Sequence, residues 1–194
     1  MRTFVALLSF LLCVGCSLEP HAVPPAPSER NLAVVFDIDG TLTTDVHAIR
    51  DTRQGAVAAV RAYADGGYRI IYLSARHPLL QWHIPTWLAQ HGFPEGPVHV
   101  TETPSQRRDH AAFKQGVLDE YRASGWALAA AYGDSSTDFD AYRGAGIDRD
   151  HVFALRREGA KACEPGAWSA CYAGWPEQMT IIDKLIRAQG QAGR

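Results

Sequence analysis

The sequence predicts an α/β fold, a parallel sheet with helices on both faces and no cap domain. Three observations carry that prediction. Short apolar runs alternate with helix-like segments along the chain, the pattern of a parallel sheet covered on both sides. Two of those runs end abruptly in carboxylates, at Asp37-Ile38-Asp39 and at Asp134 with Asp138. Open α/β sheets bind their ligands at the carboxyl ends of strands. The intervals are also short. From Leu42 to Leu73 there is room for one loop and one helix. From Ala75 to Phe113 there is room for a helix, a strand and the start of another helix. Neither gap holds a cap, so the site is expected to be open.

The elements follow in order. Strands are expected over Leu32–Phe36, Arg69–Leu73, Val98–Val100, Leu128–Tyr132 and Val152–Leu155. Helices are expected over Gln54–Ala64, Leu79–His91 (interrupted by Pro85), Gln106–Ala123, Thr137–Arg143 and Glu177–Gln189. Gly66-Gly67, Gly92 and Gly125 sit where helices should stop, because glycine accepts the left-handed turn that ends them. Right-handed crossovers follow by default.

The chain has 194 residues, 46% of them hydrophobic and 21% charged, which suits one domain with a sizeable core over residues 32–190. A net charge of −2 and a pI near 6.4 give no polybasic footprint, so nucleic acid is not an expected partner. A monomer is expected.

Residues 1–15 read as a targeting segment. Arg2 is a short positive region, and Phe4 to Val14 is an apolar stretch too short to span a bilayer. It ends in Cys13-Val14-Gly15-Cys16-Ser17. That resembles a bacterial lipobox and implies cleavage before Cys16 and lipidation of that residue; the alternative is an ordinary secretory signal cleaved nearby. Either implies export, and Ser17 after the cysteine resembles lipoproteins sorted to an outer membrane, facing the periplasm. Removing residues 1–15 moves the net charge from −2 to −3, so lipid chains rather than charge would hold the protein at a membrane. Residues 17–31 contain Pro20, Pro24, Pro25 and Pro27, an extended spacer that reaches roughly 45 Å at ~3.1 Å per residue.

The strand ending in Val34-Val35-Phe36 delivers two acids one residue apart. One can attack phosphorus while its neighbour handles the proton. Asp37 is the candidate nucleophile, Asp39 the candidate general acid/base, and Thr41 is expected to order the loop. The run Asp-Ile-Asp-Gly-Thr resembles the first motif of haloacid dehalogenase (HAD) superfamily phosphatases, which implies a HAD-like Rossmannoid sheet and an aspartyl-phosphate intermediate.

The superfamily's other motifs follow in order. Ser74 ends the second strand, and its hydroxyl, the Ala75 amide and the Arg76 fork are candidate holders of phosphate oxygens; a structural ion pair is the other reading of Arg76. Lys114, in Ala112-Phe113-Lys114, matches the cation the superfamily places between nucleophile and phosphate, with Arg107 and Arg108 as competitors. Asp134 and Asp138, four apart in a loop entering a helix, can converge on one hard cation. Mg²⁺ prefers oxygen ligands, and the expected set is Asp37, the Asp39 carbonyl, Asp134 and Asp138. Without a cation these carboxylates would repel one another. His77, His83, His91 and His110 show no shared ligand spacing and read as surface or packing groups, with His77 able to face a substrate.

Two longer segments narrow the resemblance. One runs from Tyr72-Leu73-Ser74-Ala75-Arg76 through Gly92-Phe93-Pro94-Glu95-Gly96-Pro97-Val98. The other runs from Ala131-Tyr132-Gly133-Asp134 through Tyr142, Gly146-Ile147 and His151-Val152-Phe153. Together they resemble the C-terminal domain shared by lipins and the Nir/RdgB phosphatidylinositol transfer proteins. The resemblance implies either an Mg²⁺-dependent phosphatidate phosphatase that yields diacylglycerol or, where the acids are degraded, a phosphatidate sensor. This chain keeps Asp37 and Asp39 together, which favours catalysis, and carries Asp134 where lipins usually have Asn. The expected partner is a membrane lipid substrate or a small soluble phosphate ester.

Cys163 and Cys171 are expected to pair in an exported protein, with two free thiols as the alternative. Residues 157–176 also hold Trp168, Tyr172 and Trp175. They read either as aromatic tips at a lipid interface or as a local hydrophobic plug; Trp82 and Trp87 have the same two readings.

Overall fold

The computed structural model describes residues 23–192; the expected signal segment and Cys16 lie outside the described residues. The core is a six-stranded sheet of β1 (Leu32–Asp37), β2 (Arg69–Ser74), β3 (Val98–Val100), β4 (Ala127–Gly133), β5 (Val152–Leu155) and β6 (Ala170–Tyr172). The order is β3-β2-β1-β4-β5-β6 and every neighbouring pair is parallel. A register shift between Ala33 and Val34 offsets β1 against β4.

Parallel strands covered on both faces are apolar on both faces, and β1 shows it. Val34 and Phe36 enter a core shared with Ala59, Tyr63, Leu88 and Ile182. Ala33 and Val35 enter a second core with Leu118, Tyr121, Phe139 and Tyr142. Helices α1 (Ala56–Asp65), α2 (Ile84–Gln90) and α6 (Trp175–Ala192) supply the first face. Helices α4 (His110–Ala123) and α5 (Ser136–Gly144) supply the second.

Local chemistry sets where several helices begin. Pro85 lies in the first turn of α2, where a missing N–H costs nothing. The helix expected over Leu79–His91 is therefore a 3-10 turn at Pro78–Leu80 followed by α2. The helix expected over Gln106–Ala123 is likewise two. A short α3 (Pro104–Arg108) opens with a Thr103/Gln106 capping box. Asp109 then leaves helical geometry and caps α4, accepting from the Ala112 amide at 2.9 Å.

Two expectations are corrected. No strand is expected after β5, but the segment that follows contributes β6 at the sheet edge. Cys163 and Cys171 are joined across it, and Trp175 is fully buried. That fits the plug reading and removes Trp175 as an interfacial tip. The spacer expected over residues 17–31 is docked on the domain from residue 23 onward. Val23 and Ala26 pack on the second core, the Ala26 amide donates to the Ser124 carbonyl at 2.8 Å, and Trp126 Nε1 donates to the Pro24 carbonyl at 2.8 Å.

Candidate active site

The strand order reverses direction between β1 and β4. Connections from β1 run outward to β2 and β3, then return to β4 on the other side. Crevices form where neighbouring connections diverge in this way, at the carboxyl ends of the strands. Asp37 ends β1 and Asp134 follows β4, so both acids stand in that crevice.

Lys114, 77 positions away on α4, closes the group. Its buried ammonium donates to Asp37 Oδ1 at 2.6 Å and also to Asp138 Oδ1. Burial pulls the Lys114 ammonium down, but Asp138 and Asp37 outweigh it and hold it above the ordinary lysine range. Arg107 and Arg108 are more exposed, on α3; Lys114 is the cation at the acids.

Asp138 has a second job beyond the one expected. Its Oδ2 accepts from the Ser135 hydroxyl at 2.7 Å and the Ser135 amide at 3.0 Å. This closes a capping box at the start of α5. The loop fits only because residue 133 is glycine; a Cβ there would lie 2.6 Å from the Asp138 Cβ. Gly40 is constrained likewise, at φ +82° with the Asp134 carboxylate against it.

Asp37 is pushed well above the usual carboxylate range by burial first and by Asp138 second, with Lys114 pulling it back. Its Oδ2 is buried and has no hydrogen-bond partner. Asp134 is pushed up to about 6, again by burial and then Asp138. One oxygen from each of Asp37, Asp134 and Asp138 lies within 4.8 Å of the others. An orphaned carboxylate oxygen inside a cluster of hard oxygen donors fits a divalent cation.

Asp39 faces a different environment. Ser74 Oγ donates to its Oδ2 at 2.6 Å, and Arg76 Nε donates to its Oδ1 at 2.8 Å, with Arg76 Nη2 at 2.6 Å from the same oxygen. Arg76 Nη1 donates to His83 Nε2 at 3.2 Å. Burial, then Arg76 and Arg50, keep the His83 imidazole below its ordinary range, as suits an acceptor. The ion-pair reading of Arg76 is thus present, and the same residue also lines the cleft.

The acids open into a cleft of about 370 Å³ lined by Asp37, Asp39, Arg76, Lys114, Asp134 and Arg157. Ala75, His77 and His110 also line it. Thr41 is fully buried, and its Oγ1 has no partner among the described residues. The loop-ordering hydroxyl is Thr43, which accepts from the Gly40 amide at 2.8 Å and donates to the Asp45 carbonyl at 2.9 Å.

For three residues nothing in the sequence signalled the contact they make with the site. Arg157, after β5, donates to Asp134 Oδ2 at 2.6 Å. Arg53 ties the first loop to the far edge, donating to the Gly40 carbonyl at 2.8 Å, the Ala173 carbonyl at 2.9 Å and the Arg156 carbonyl. Trp175 Nε1 donates to the Thr41 carbonyl at 3.0 Å, and its ring packs 5.1 Å from Tyr132. Each acts across long sequence separation, and no motif spacing marks such a partner.

A family model described as the LNS2 domain of PITM 1-3 matches residues 34–156. Among curated proteins the chain is similar to protein retinal degeneration B of Drosophila melanogaster. The two are 34% identical over 144 residues, 72% of this chain and 11% of that protein. It is also similar to membrane-associated phosphatidylinositol transfer protein 1 of Homo sapiens, 33% identical over 130 residues, 64% of this chain and 10% of that protein. The chain thus spans about a tenth of these relatives' length. Among solved structures it resembles a D,D-heptose 1,7-bisphosphate phosphatase from B. bronchiseptica, complexed with magnesium and phosphate, at TM-score 0.57 and 14% identity. That alignment covers 81% of this chain and 99% of the other. A HAD-like phosphatase fold from Mesorhizobium loti matches at TM-score 0.58 and 15% identity, over 89% and 90% of the two chains. At these identities the likeness is one of fold, and the fold is HAD-like.

Proposed function

The chain belongs to the LNS2 domain family, and from that premise we propose that it is an Mg²⁺-dependent phosphomonoesterase acting on a lipid phosphate, phosphatidate to diacylglycerol. The observation that carries the reading is Asp37. Its Oδ2 is buried without a partner at the floor of an open cleft, while its Oδ1 is held by Lys114. A structural acid would have both oxygens satisfied.

Asp37 attacks phosphorus. The bond from phosphorus to the ester oxygen breaks, and Asp39 passes its proton to the leaving alkoxide. Water then attacks the aspartyl-phosphate, Asp39 takes its proton, and inorganic phosphate leaves with Asp37 restored. Arg76 and Ser74 hold Asp39 over the cleft during both transfers, and Ala75 and Arg76, which line the cleft, would meet phosphate oxygens. Lys114 keeps positive charge beside the nucleophile throughout. Asp37, Asp134, Asp138 and the Asp39 carbonyl would hold Mg²⁺, which when bound neutralises charge on the phosphoryl oxygens.

Support for a lipid ester comes from the family and from the cleft's lack of a covering domain between β1 and α4. The alternative substrate is a soluble phosphate ester. The expected Cys16 anchor belongs to the same reading and would place the domain at an outer membrane facing the periplasm. Loss of metabolic palmitate labelling in Cys16→Ala would support it; unchanged labelling would sink it.

The test is phosphate release by the full chain with Mg²⁺, comparing phosphatidate in mixed micelles with soluble monoesters. Preference for phosphatidate is expected. Preference for soluble esters would replace the lipid substrate, and no release from any ester would leave a phosphatidate-binding module.

A further inference from the structure

The large exposed hydrophobic side chains among the described residues are Leu79, Leu80 and Trp82, at 75%, 42% and 80% exposure. All three fall in one turn, directly after Arg76. The turn is rigidly held. Gln81 Nε2 donates to the Arg76 carbonyl at 2.7 Å and the Thr101 carbonyl at 3.1 Å, and His83 is fixed by Arg76. Clustered apolar exposure on a fixed turn marks an interaction surface rather than a local packing failure.

Beside the turn runs a groove of about 460 Å³, walled by Ile49, Leu80, Trp82, Thr86 and Trp87. Such a volume takes a ligand of moderate size. Its floor is locked, because Trp87 Nε1 donates to the Arg50 carbonyl at 2.9 Å. Ile49 and Leu80 also line the catalytic cleft, so groove and cleft adjoin across a shared wall. The groove's charged or titratable lining residues are Arg50, His83 and His91, with no carboxylate among them. Arg50 is the one fixed charge in that lining, and with no carboxylate beside it there the groove complements an anionic lipid surface.

We propose that Leu79 and Trp82 insert into the lipid surface, and that the groove between their turn and α2 holds the glycerol and acyl portion of the lipid whose phosphate lies over Asp37. This rests on the lipid-phosphatase reading and deepens it. It names the surface that meets the membrane and the path along which the leaving alcohol lies. It also separates the tryptophans. Trp82 is the interfacial residue, whereas Trp87 is 4% exposed and belongs to the groove wall.

The test uses the full chain, wild type and the double variant Leu79→Ser/Trp82→Ser, with Mg²⁺. Substrates are long-chain phosphatidate in phosphatidylcholine vesicles, water-soluble dihexanoyl phosphatidate, and p-nitrophenyl phosphate. The double variant is expected to lose tenfold or more on vesicles, to lose less on dihexanoyl phosphatidate because Trp82 also walls the groove, and to keep the wild-type rate on p-nitrophenyl phosphate. Thr86→Trp, which fills the groove, is expected to lower the rate on both phosphatidates and spare p-nitrophenyl phosphate. Equal or parallel changes on all three substrates would overturn the proposal. A separate readout needs no turnover. Brominated phosphatidylcholine should quench wild-type fluorescence more than that of Trp82→Phe. Equal quenching of the two overturns insertion. Should wild type cleave p-nitrophenyl phosphate but neither phosphatidate, the lipid-phosphatase reading and the groove assignment fail together, and quenching alone decides the docking surface. A wild-type dimer dissociated by the double substitution, with no excess quenching, would assign the patch to a second copy of the chain instead.

Discussion

Asp37 and Asp39 are the same residue type, two positions apart, and the structure gives them opposite surroundings. On the β4 side, Asp37 shares a dry floor with Lys114, Asp134 and Asp138; one oxygen is unpartnered and its carboxyl is raised by burial and by Asp138. On the β2 side, the Asp39 side chain is 17% exposed and both oxygens are satisfied, by Ser74 and by the Arg76 fork. The difference teaches that role follows environment rather than residue type. A frustrated carboxylate is poised to bind something new, and a satisfied one at a solvent edge is held in position to exchange a proton.

The largest test of that contrast is Asp37→Asn. It should lower phosphate release on the order of 10³-fold or more while the melting temperature holds or rises, because a raised acid is replaced by a neutral isostere. Substantial residual turnover would end the nucleophile assignment.

Next is a paired substitution. Lys114→Met leaves Asp37 and Asp138 buried together and should cost roughly 3–5 kcal/mol in urea unfolding. Arg76→Met faces a partly solvated partner and should cost about 1 kcal/mol or less, with its main effect on turnover. Equal costs would erase the distinction between the two sides.

Third is pH. Asp134 is raised to about 6, so the folded chain binds more protons than the unfolded one between the ordinary carboxylate value and about pH 6. Its metal-free stability should therefore fall as pH rises through that window, by about 2 kcal/mol. Mg²⁺ binds the ionised form and should remove the slope. Unfolding in EDTA and in Mg²⁺ across pH 4–7 checks this; a flat EDTA profile would contradict it.

The smallest effect belongs to Arg157→Ala. Freeing Asp134 Oδ2 from its guanidinium should lower the half-saturating Mg²⁺ concentration about threefold, since removing a half-exposed ion-pair partner is worth under ~1 kcal/mol. Titration calorimetry reads it, and weaker Mg²⁺ binding would show that Arg157 assists the metal rather than competing for its ligand.

Much of this arrangement was legible in the chain. Strand runs, helix stops and the residues expected at strand ends are local properties, written in period and in capping chemistry. Five strands fell within a residue or two of their predicted bounds. The missed strand, β6, has only three residues with no alternating pattern, and it exists because Phe153, Ala154 and Leu155 offer it an edge. The misplaced role of Thr41 has a similar cause, since Thr41 and Thr43 both follow the acids in sequence and only the fold of the loop decides which hydroxyl meets the Gly40 amide.

The sequence by itself determined the parallel sheet, the order of the motifs and the placing of Asp37, Asp39, Ser74 and Asp134 at strand ends, because apolar runs, the turn residues that end them and the helices between them are local properties of the chain. Tertiary structure decided which acid is dry, which cation neutralises it, that Arg53, Arg157 and Trp175 belong to the site, and that Trp82 is exposed while Trp87 is buried. Burial and charge pairing depend on segments meeting from far along the chain. Lys114 reaches Asp37 across 77 residues and Trp175 reaches Thr41 across 134, and no window of sequence contains both partners.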